Sequence, residues 1–454
     1  MTNSEKKTKA FDFLVIGGGI TGLTVSSNLA IEGKKVALIE SRDWGGTSIN
    51  RGATAKKAIL ALSELHHKIE AFHGKGFDSI PDINWEDMIS HRDWLVEDQR
   101  ARAKERAISS GVYTFEGQAR FLDDHHVIVD GQVLSADTIV IATGSKPREL
   151  TFEGAQFVDD SGNLLRQHRK PKEIAIIGAG VIALSLISSF TEAGVKVHVI
   201  QHNKGVLRGF DRELVDTLVT RLQSKGAEFH LNAEPIRVCK EDNGFYSVLL
   251  STGTSLIVNG IYDAAGRVPY IQQLDLEKAG ISYNSKGIKV NDYLQTSKKW
   301  IYALGDCCDT PVPKLTSYGD YQAKYLANLL FGHRNDKISY PKAPAVTVFS
   351  IPKLGQVGIP VSQAKTSPNH YNIKDIDMSH WQNYRRVRDD LAQLKLVIDT
   401  SNQQVVGAEI LSDTADILIN YLALLINLGA SMQDVQNIIF AYPSIATDLY
   451  GIWT

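Results

Sequence analysis

Three glycines, Gly17, Gly19 and Gly22, follow directly on the apolar run Phe11 to Ile16 and give the pattern GxGxxG at the end of a short strand. In such a turn the first glycine permits a tight bend, the second lets a pyrophosphate come against the backbone, and the third lets the next helix pack closely. Glu40 ends the following apolar run, Val36 to Ile39. It lies roughly 20 residues beyond the turn, where a carboxylate can accept hydrogen bonds from ribose hydroxyls. A second copy occurs further on: Ile174 to Ile177 lead into Gly178 and Gly180, with Ala183 in third place, and the returning run Val195 to Ile200 ends in Gln201. An acid at that position would hold a ribose 2′-hydroxyl and repel a 2′-phosphate. Gln201, followed by His202, Lys204 and Arg208, instead favours accommodating the phosphate, and so NADPH over NADH. The plainer alternative is that these basic groups form only a solvated turn.

Each turn needs a strand, a helix and a second strand to hold it, and both copies have them, the first with a helical stretch reaching Gly33. Between them, Trp85 to Ser109 has apolar residues at helical spacing among many charges, which predicts a long, partly exposed helix. Tyr246 to Leu250 reads as one of several added antiparallel strands. Beyond about residue 335 the dinucleotide pattern stops. There Ala392 to Asp399 and Val405 to Leu411 read as strands and Ala415 to Leu428 as an apolar helix, a third layer of α+β type.

Composition narrows the class. A chain of 454 residues exceeds what one core usually supports, so several domains are expected. A hydrophobic fraction of 43% and a net charge of -2 suit a globular protein and give no basic excess for nucleic acid or a membrane surface. No signal peptide and no membrane-spanning run is read, and three cysteines, two of them adjacent, make a disulfide framework unexpected. The expected compartment is the cytoplasm, and no metal ligand set is assigned.

Two further segments sharpen the two glycine turns. Ala142-Thr143-Gly144 follows an apolar run, and Ile301-Tyr302-Ala303-Leu304-Gly305-Asp306 ends another in an acid. With Ala265-Gly266-Arg267-Val268-Pro269, and in this order over nearly the whole chain, they resemble the FAD and NAD(P) motifs of the glutathione reductase and dihydrolipoamide dehydrogenase family. The resemblance implies an α/β fold with two Rossmann-like dinucleotide-binding domains and a C-terminal α+β dimerisation domain. Residues 1–150 and 271–335 would form the FAD-binding parts, 151–270 the NAD(P)-binding domain and 336–454 the dimerisation domain of a homodimer. It implies FAD and NAD(P)H as cofactors. Glu40 would hold the adenosine ribose, Thr47, Thr143 and Gly144 would line the FAD site, Asp306 would bind the ribityl and pyrophosphate region, and Thr316 would run beneath the isoalloxazine ring. Gly17, Gly19, Gly22, Gly178, Gly180 and Gly266 complete the expected cofactor-binding set.

The chemistry of that family departs at several places. Its members pass electrons from NAD(P)H through flavin to a cysteine pair and then to a disulfide. In Gly45 to Ala53, GGTSINRGA, the two cysteine positions match Ser48 and Ala53. The family's His-Pro pair and following glutamate match Tyr442-Pro443 and Thr447, and the glutamate that pairs with the lysine beside the flavin, here Lys56, matches Ser185. A phenol titrates near 10 and is a proton donor more than a base at neutral pH, so Tyr442 is the candidate donor, with simple packing as its alternative. Lys56 is the candidate positive group beside the ring. Cys307 and Cys308 are poor substitutes for the lost pair, because adjacent Cα atoms lie about 3.8 Å apart, short of the usual disulfide span. Cys239 reads as a small buried hydrophobe.

The expected function is an FAD-dependent NAD(P)H oxidoreductase that passes electrons directly to a small acceptor such as a quinone. Oxygen, a dye or a metal complex are other acceptors. Two different readings stand beside it: a nucleotide-binding sensor or scaffold with little turnover, and a disulfide reductase using Cys307 and Cys308.

Overall fold

The computed structural model describes residues 8–452, which divide into two compact units. The first comprises, among these, residues 8–56, 90–149 and 266–339. Its main sheet has the order Tyr113–Glu116, Val36–Glu40, Lys9–Ile16, Gln132–Ile141, His126–Val129 and Ala119–Phe121, with Ile301–Ala303 also pairing with Gln132–Ile141. The strands around Lys9–Ile16 are parallel, whereas His126–Val129 joins antiparallel. Parallel strands with both faces covered read as unbroken apolar runs, and Val36–Glu40 is buried at every position. Helix Ile20–Ile31 starts at Gly19 directly after the first strand. The core packs Leu14, Ile39, Leu134, Ile139 and Ile301 together with Cys307 and Cys308.

The second unit comprises residues 57–89, 150–265 and 340–452. It holds an all-parallel sheet in the order Ala227–Leu231, Lys196–Gln201, Glu173–Ile177, Gly260–Asp263 and Asp159–Asp160, with a three-stranded antiparallel ribbon inserted in the chain between Ala227–Leu231 and Gly260–Asp263. Its C-terminal part is a five-stranded antiparallel sheet, Ala345–Val348, Lys353–Gly358, Val405–Ser412, Gln393–Asp399 and Tyr371–Asp377. Helix Ala415–Leu428 lays Leu418, Ile419, Leu422 and Leu425 on that sheet and leaves Ile417, Leu424 and Leu428 exposed. The helix is therefore core on one side and an open apolar face on the other.

The α/β class and the C-terminal α+β layer stand as expected. Trp85–Ser109, Tyr246–Leu250 and Ala415–Leu428 have the expected bounds. In the C-terminal sheet three strands are not read from the sequence. Lys353–Gly358 carries Gly355, whose backbone passes so close to Ile419 that a Cβ would lie 3.0 Å from it, and glycines mask strand character. Tyr371–Asp377 is a half-exposed edge strand with four polar residues, and Ala345–Val348 lies at the opposite edge. Cys239 needs correcting: it lies in strand Pro235–Lys240, as expected, but is exposed. On that edge strand Val238 faces inward, so its neighbour faces out.

Candidate functional site

In the first unit the glycine turn forms one wall of an open cleft of about 1050 Å³. Gly17 has φ 113°, and a Cβ on it would sit 2.4 Å from the Ala142 carbonyl oxygen, so both its conformation and its surroundings require glycine. A Cβ on Gly22 would lie 1.8 Å from the Gly17 carbonyl oxygen, which fixes how closely helix Ile20–Ile31 approaches the strand. At Gly19 the nearest atom to such a Cβ is 3.9 Å away, leaving room at the helix N-terminus. No side chain caps that terminus, so its first N–H groups face the cleft as an anion site.

Glu40 fixes the turn from the other side. Its carboxylate accepts from the Gly18 N–H at 2.7 Å and from the Arg42 N–H at 2.7 Å. Burial raises its pKa above the ordinary value, and these backbone N–H groups partly offset that rise. Thr47, Thr143, Gly144, Asp306 and Thr316 all line the same cleft, with Ser48, Arg42 and Arg51. Asp306 Oδ2 accepts from Ser145 Oγ at 2.9 Å, and Arg267 donates to Ser145 Oγ at 3.0 Å and to the Ser145 carbonyl at 2.5 Å. Gly266, just before it, has φ 124° and accepts from the Arg148 N–H at 3.1 Å. Of the segment Ala265 to Pro269 only Gly266 is an expected site residue, and neither Arg267 nor Ser145 stands out in the sequence.

The segment Gly45 to Ala53 is held from within. Asn50 Nδ2 donates to the carbonyls of Trp44 and Gly46, both at 2.9 Å, while Arg92 donates to the Asn50 carbonyl at 3.1 Å and Arg100 to Asn50 Oδ1 at 2.7 Å. Arg51 pairs with Asp43. Ser48 sits in the short helix Gly46–Asn50, Ala53 is the exposed first residue of helix Ala53–Ala71, and Lys56 is half-buried in the first turn of that helix, beyond the residues that line the cleft.

The second turn, in the second unit, repeats the first. Gly178 has φ 106°, with the Ala264 carbonyl oxygen 2.4 Å from where its Cβ would be, and nothing lies within 4 Å of a Cβ on Gly180. Gln201 Oε1 accepts from the Ala179 N–H at 3.1 Å, and its Nε2 donates to Asn203 Oδ1 and the Gly205 carbonyl, both at 3.1 Å. His202, Lys204 and Arg208 are exposed along the loop that follows. Asn203 was not anticipated; its Oδ1 accepts from the Gly205 N–H at 2.7 Å, and the Asn-x-Gly pattern was the available signal for this turn.

Tyr442 is 79% exposed, so it does not pack within its own chain. Thr447 forms a reciprocal cap with Ser444 at the start of helix Ile445–Asp448. The Cys307 thiol donates to the carbonyls of Ile141 and Leu304, and Cys308 to that of Gly305. Burial pushes both thiols well above their ordinary pKa.

Residues 11–323 match the family described as pyridine nucleotide-disulphide oxidoreductase, and residues 344–449 match its dimerisation domain. This chain belongs to that family. A glutathione reductase from Burkholderia cepacia is 32% identical over 96% of this chain and 97% of its own. The chloroplastic/mitochondrial glutathione reductase of Pisum sativum is 31% identical over 98% of this chain and 82% of its own. Among solved structures, the HOCl-induced flavoprotein disulfide reductase RclA from Escherichia coli superposes with a TM-score of 0.89 at 25% identity, covering 98% of this chain and 99% of that one. The chain is thus a flavin oxidoreductase of the glutathione reductase family, with FAD and NAD(P)H as cofactors. The glycine turns fit both: each leaves an uncapped helix N-terminus and an open glycine where a pyrophosphate must approach. The dimerisation domain supports a homodimer. No described helix is long and apolar enough to cross a membrane.

Proposed function

We propose that this protein is an NADPH-preferring oxidoreductase that delivers electrons to a small acceptor such as a quinone without a dithiol relay. One observation carries the reading: at the two relay positions stand Ser48, on the cleft wall, and Ala53, neither able to exchange with a disulfide. The remaining thiols do not replace them, since Cys307 and Cys308 are buried and held protonated while Cys239 stands alone on an edge strand. FAD, when bound, supplies hydride acceptance from the nicotinamide and onward electron transfer.

The chain's own residues bind and position. In this reading residues 1–150 and 271–335 hold FAD, 151–270 hold the nicotinamide nucleotide, and 336–454 join two subunits. Gly17, Gly19, Gly22, Glu40, Thr47, Thr143, Gly144, Gly266, Asp306 and Thr316 serve the flavin nucleotide, and Gly178, Gly180 and Gln201 the nicotinamide nucleotide. Lys204 and Arg208 offer the cationic groups a 2′-phosphate needs, with the His202 ring beside them. Lys56 supplies positive charge that favours the reduced flavin, and the Tyr442 hydroxyl donates a proton to the reduced acceptor. The cytoplasm remains the proposed compartment.

The test is anaerobic stopped-flow reduction of the FAD-loaded protein by NADPH and by NADH, followed by mixing with a quinone and with glutathione disulfide. The expected result is faster bleaching with NADPH and reoxidation by the quinone but not the disulfide. Rapid reoxidation by the disulfide would remove the thiol-free reading. Failure of both nucleotides to reduce the flavin would point to a sensor.

A further inference from the structure

Away from both glycine turns, the parallel sheet of the second unit carries a cluster of histidines and carboxylates that the oxidoreductase chemistry does not use. Glu173 opens strand Glu173–Ile177, Lys196 and His198 stand two apart on Lys196–Gln201, and Glu228 and His230 stand two apart on Ala227–Leu231. Residues two apart share a face of a strand, and the register sets His198 beside Glu228 and Lys196 beside Glu173. His198 is buried; His230 is half-buried on the edge strand.

The hydrogen bonds assign the roles. His198 Nε2 lies 2.6 Å from Glu173 Oε1, so the proton belongs on that nitrogen and Nδ1 is left with its lone pair. This Nδ1 faces His230 Nε2 at 3.0 Å and Glu228 Oε2 at 3.2 Å. Donors bound at about 2.1 Å in a tetrahedron stand roughly 3.4 Å apart, so the three are already close to a zinc-like spacing. A carboxylate behind a histidine, as Glu173 is here, is the usual outer support of such a ligand. Lys196 Nζ, 3.0 Å from both Glu173 and Glu228 and half-exposed, now supplies the positive charge.

We propose that His198, Glu228 and His230 bind a divalent transition-metal ion of the Zn²⁺ class, with Glu173 orienting His198 and water completing the coordination. The ion takes the place of the proton shared between the two imidazoles and displaces the Lys196 ammonium from Glu228. Imidazole and carboxylate donors suit such ions better than Ca²⁺ or Mg²⁺, which prefer oxygen alone.

The test titrates Zn²⁺ into the chelator-treated, FAD-loaded protein by calorimetry and follows the visible bands of Co²⁺ as a coordination probe. One ion per chain, four-coordinate Co²⁺ bands and proton release on binding are expected. His230→Gln should weaken binding at least tenfold, and Glu173→Gln by about 10–100-fold. Lys196→Gln should tighten it, whereas a purely structural ion-pair network would show no gain. Flavin content and the rate of flavin reduction should be unchanged in His230→Gln, which certifies its fold. Absence of stoichiometric binding, or affinity unaltered in a correctly folded His230→Gln variant, would overturn the proposal.

Discussion

The two glycine turns share one construction, and two of the differences between them bear on recognition and packing. In each, a residue ending the second strand accepts from the N–H of the residue following the first glycine: Glu40 from Gly18, and Gln201 from Ala179. A buried carboxylate does this in the first turn and an amide in the second, so the hydrogen bond to the turn does not require charge. What the charge changes is recognition: Glu40 has only acceptor oxygens, while Gln201 spends its donor on Asn203 and Gly205 and thereby shapes the basic loop. The other difference is in the third place, where Gly22 has no room for a Cβ and Ala183 is fully buried with one. The second turn therefore accommodates a methyl group at a place where the first has room for none.

The sharpest way to break the comparison is Gly22→Ala. Its Cβ would collide with the Gly17 backbone, which has no flexible end to move. We expect a loss of about 3 kcal/mol or more and FAD-free protein, seen in melting curves and flavin content. Next is Gln201→Glu, which turns the second site toward the first. The ratio of kcat/KM for NADPH over that for NADH should fall about tenfold, equivalent to about 1.4 kcal/mol. An unchanged ratio would show that the 2′-phosphate is not read at this position. Ala183→Gly should cost only about 0.5–1 kcal/mol of stability, the usual helix-interior penalty, with nicotinamide binding intact.

The gentlest change is Glu40→Gln, which should keep the Gly18 hydrogen bond, give up acceptance from the Arg42 N–H and remove the titration. Because burial raises the folded-state pKa above 4.5, the contribution of Glu40 to stability is fully present below that value and is lost as pH rises through the raised one. The variant should lose this downward step in melting temperature measured on FAD-free protein. A step that persists would assign it to another carboxylate.

Much of this was legible in the chain. The glycine turns announced themselves because their spacing is imposed by backbone sterics, and Glu40 and Gln201 because the strand that carries them has a fixed length. Asp306 was found through its place after an apolar run. What stayed hidden were residues that act through geometry across the sequence: Arg267 on Ser145, and Arg92 and Arg100 on Asn50, are separated by between 42 and 122 positions. Cys239 was misjudged because alternation alone does not say which side of an edge strand is wet. Tyr442 could be placed only by its exposure, which periodicity does not report.

The clamp on Asn50 bears on how such a protein arises. Asn50, Arg92 and Arg100 secure the Gly45 to Ala53 segment with hydrogen bonds to backbone and amide groups, none of which depends on the side chains at 48 and 53. Those two positions are thus mutationally decoupled from the scaffold around them. Cysteines could therefore be introduced at both places without removing any of the hydrogen bonds that hold the loop in shape.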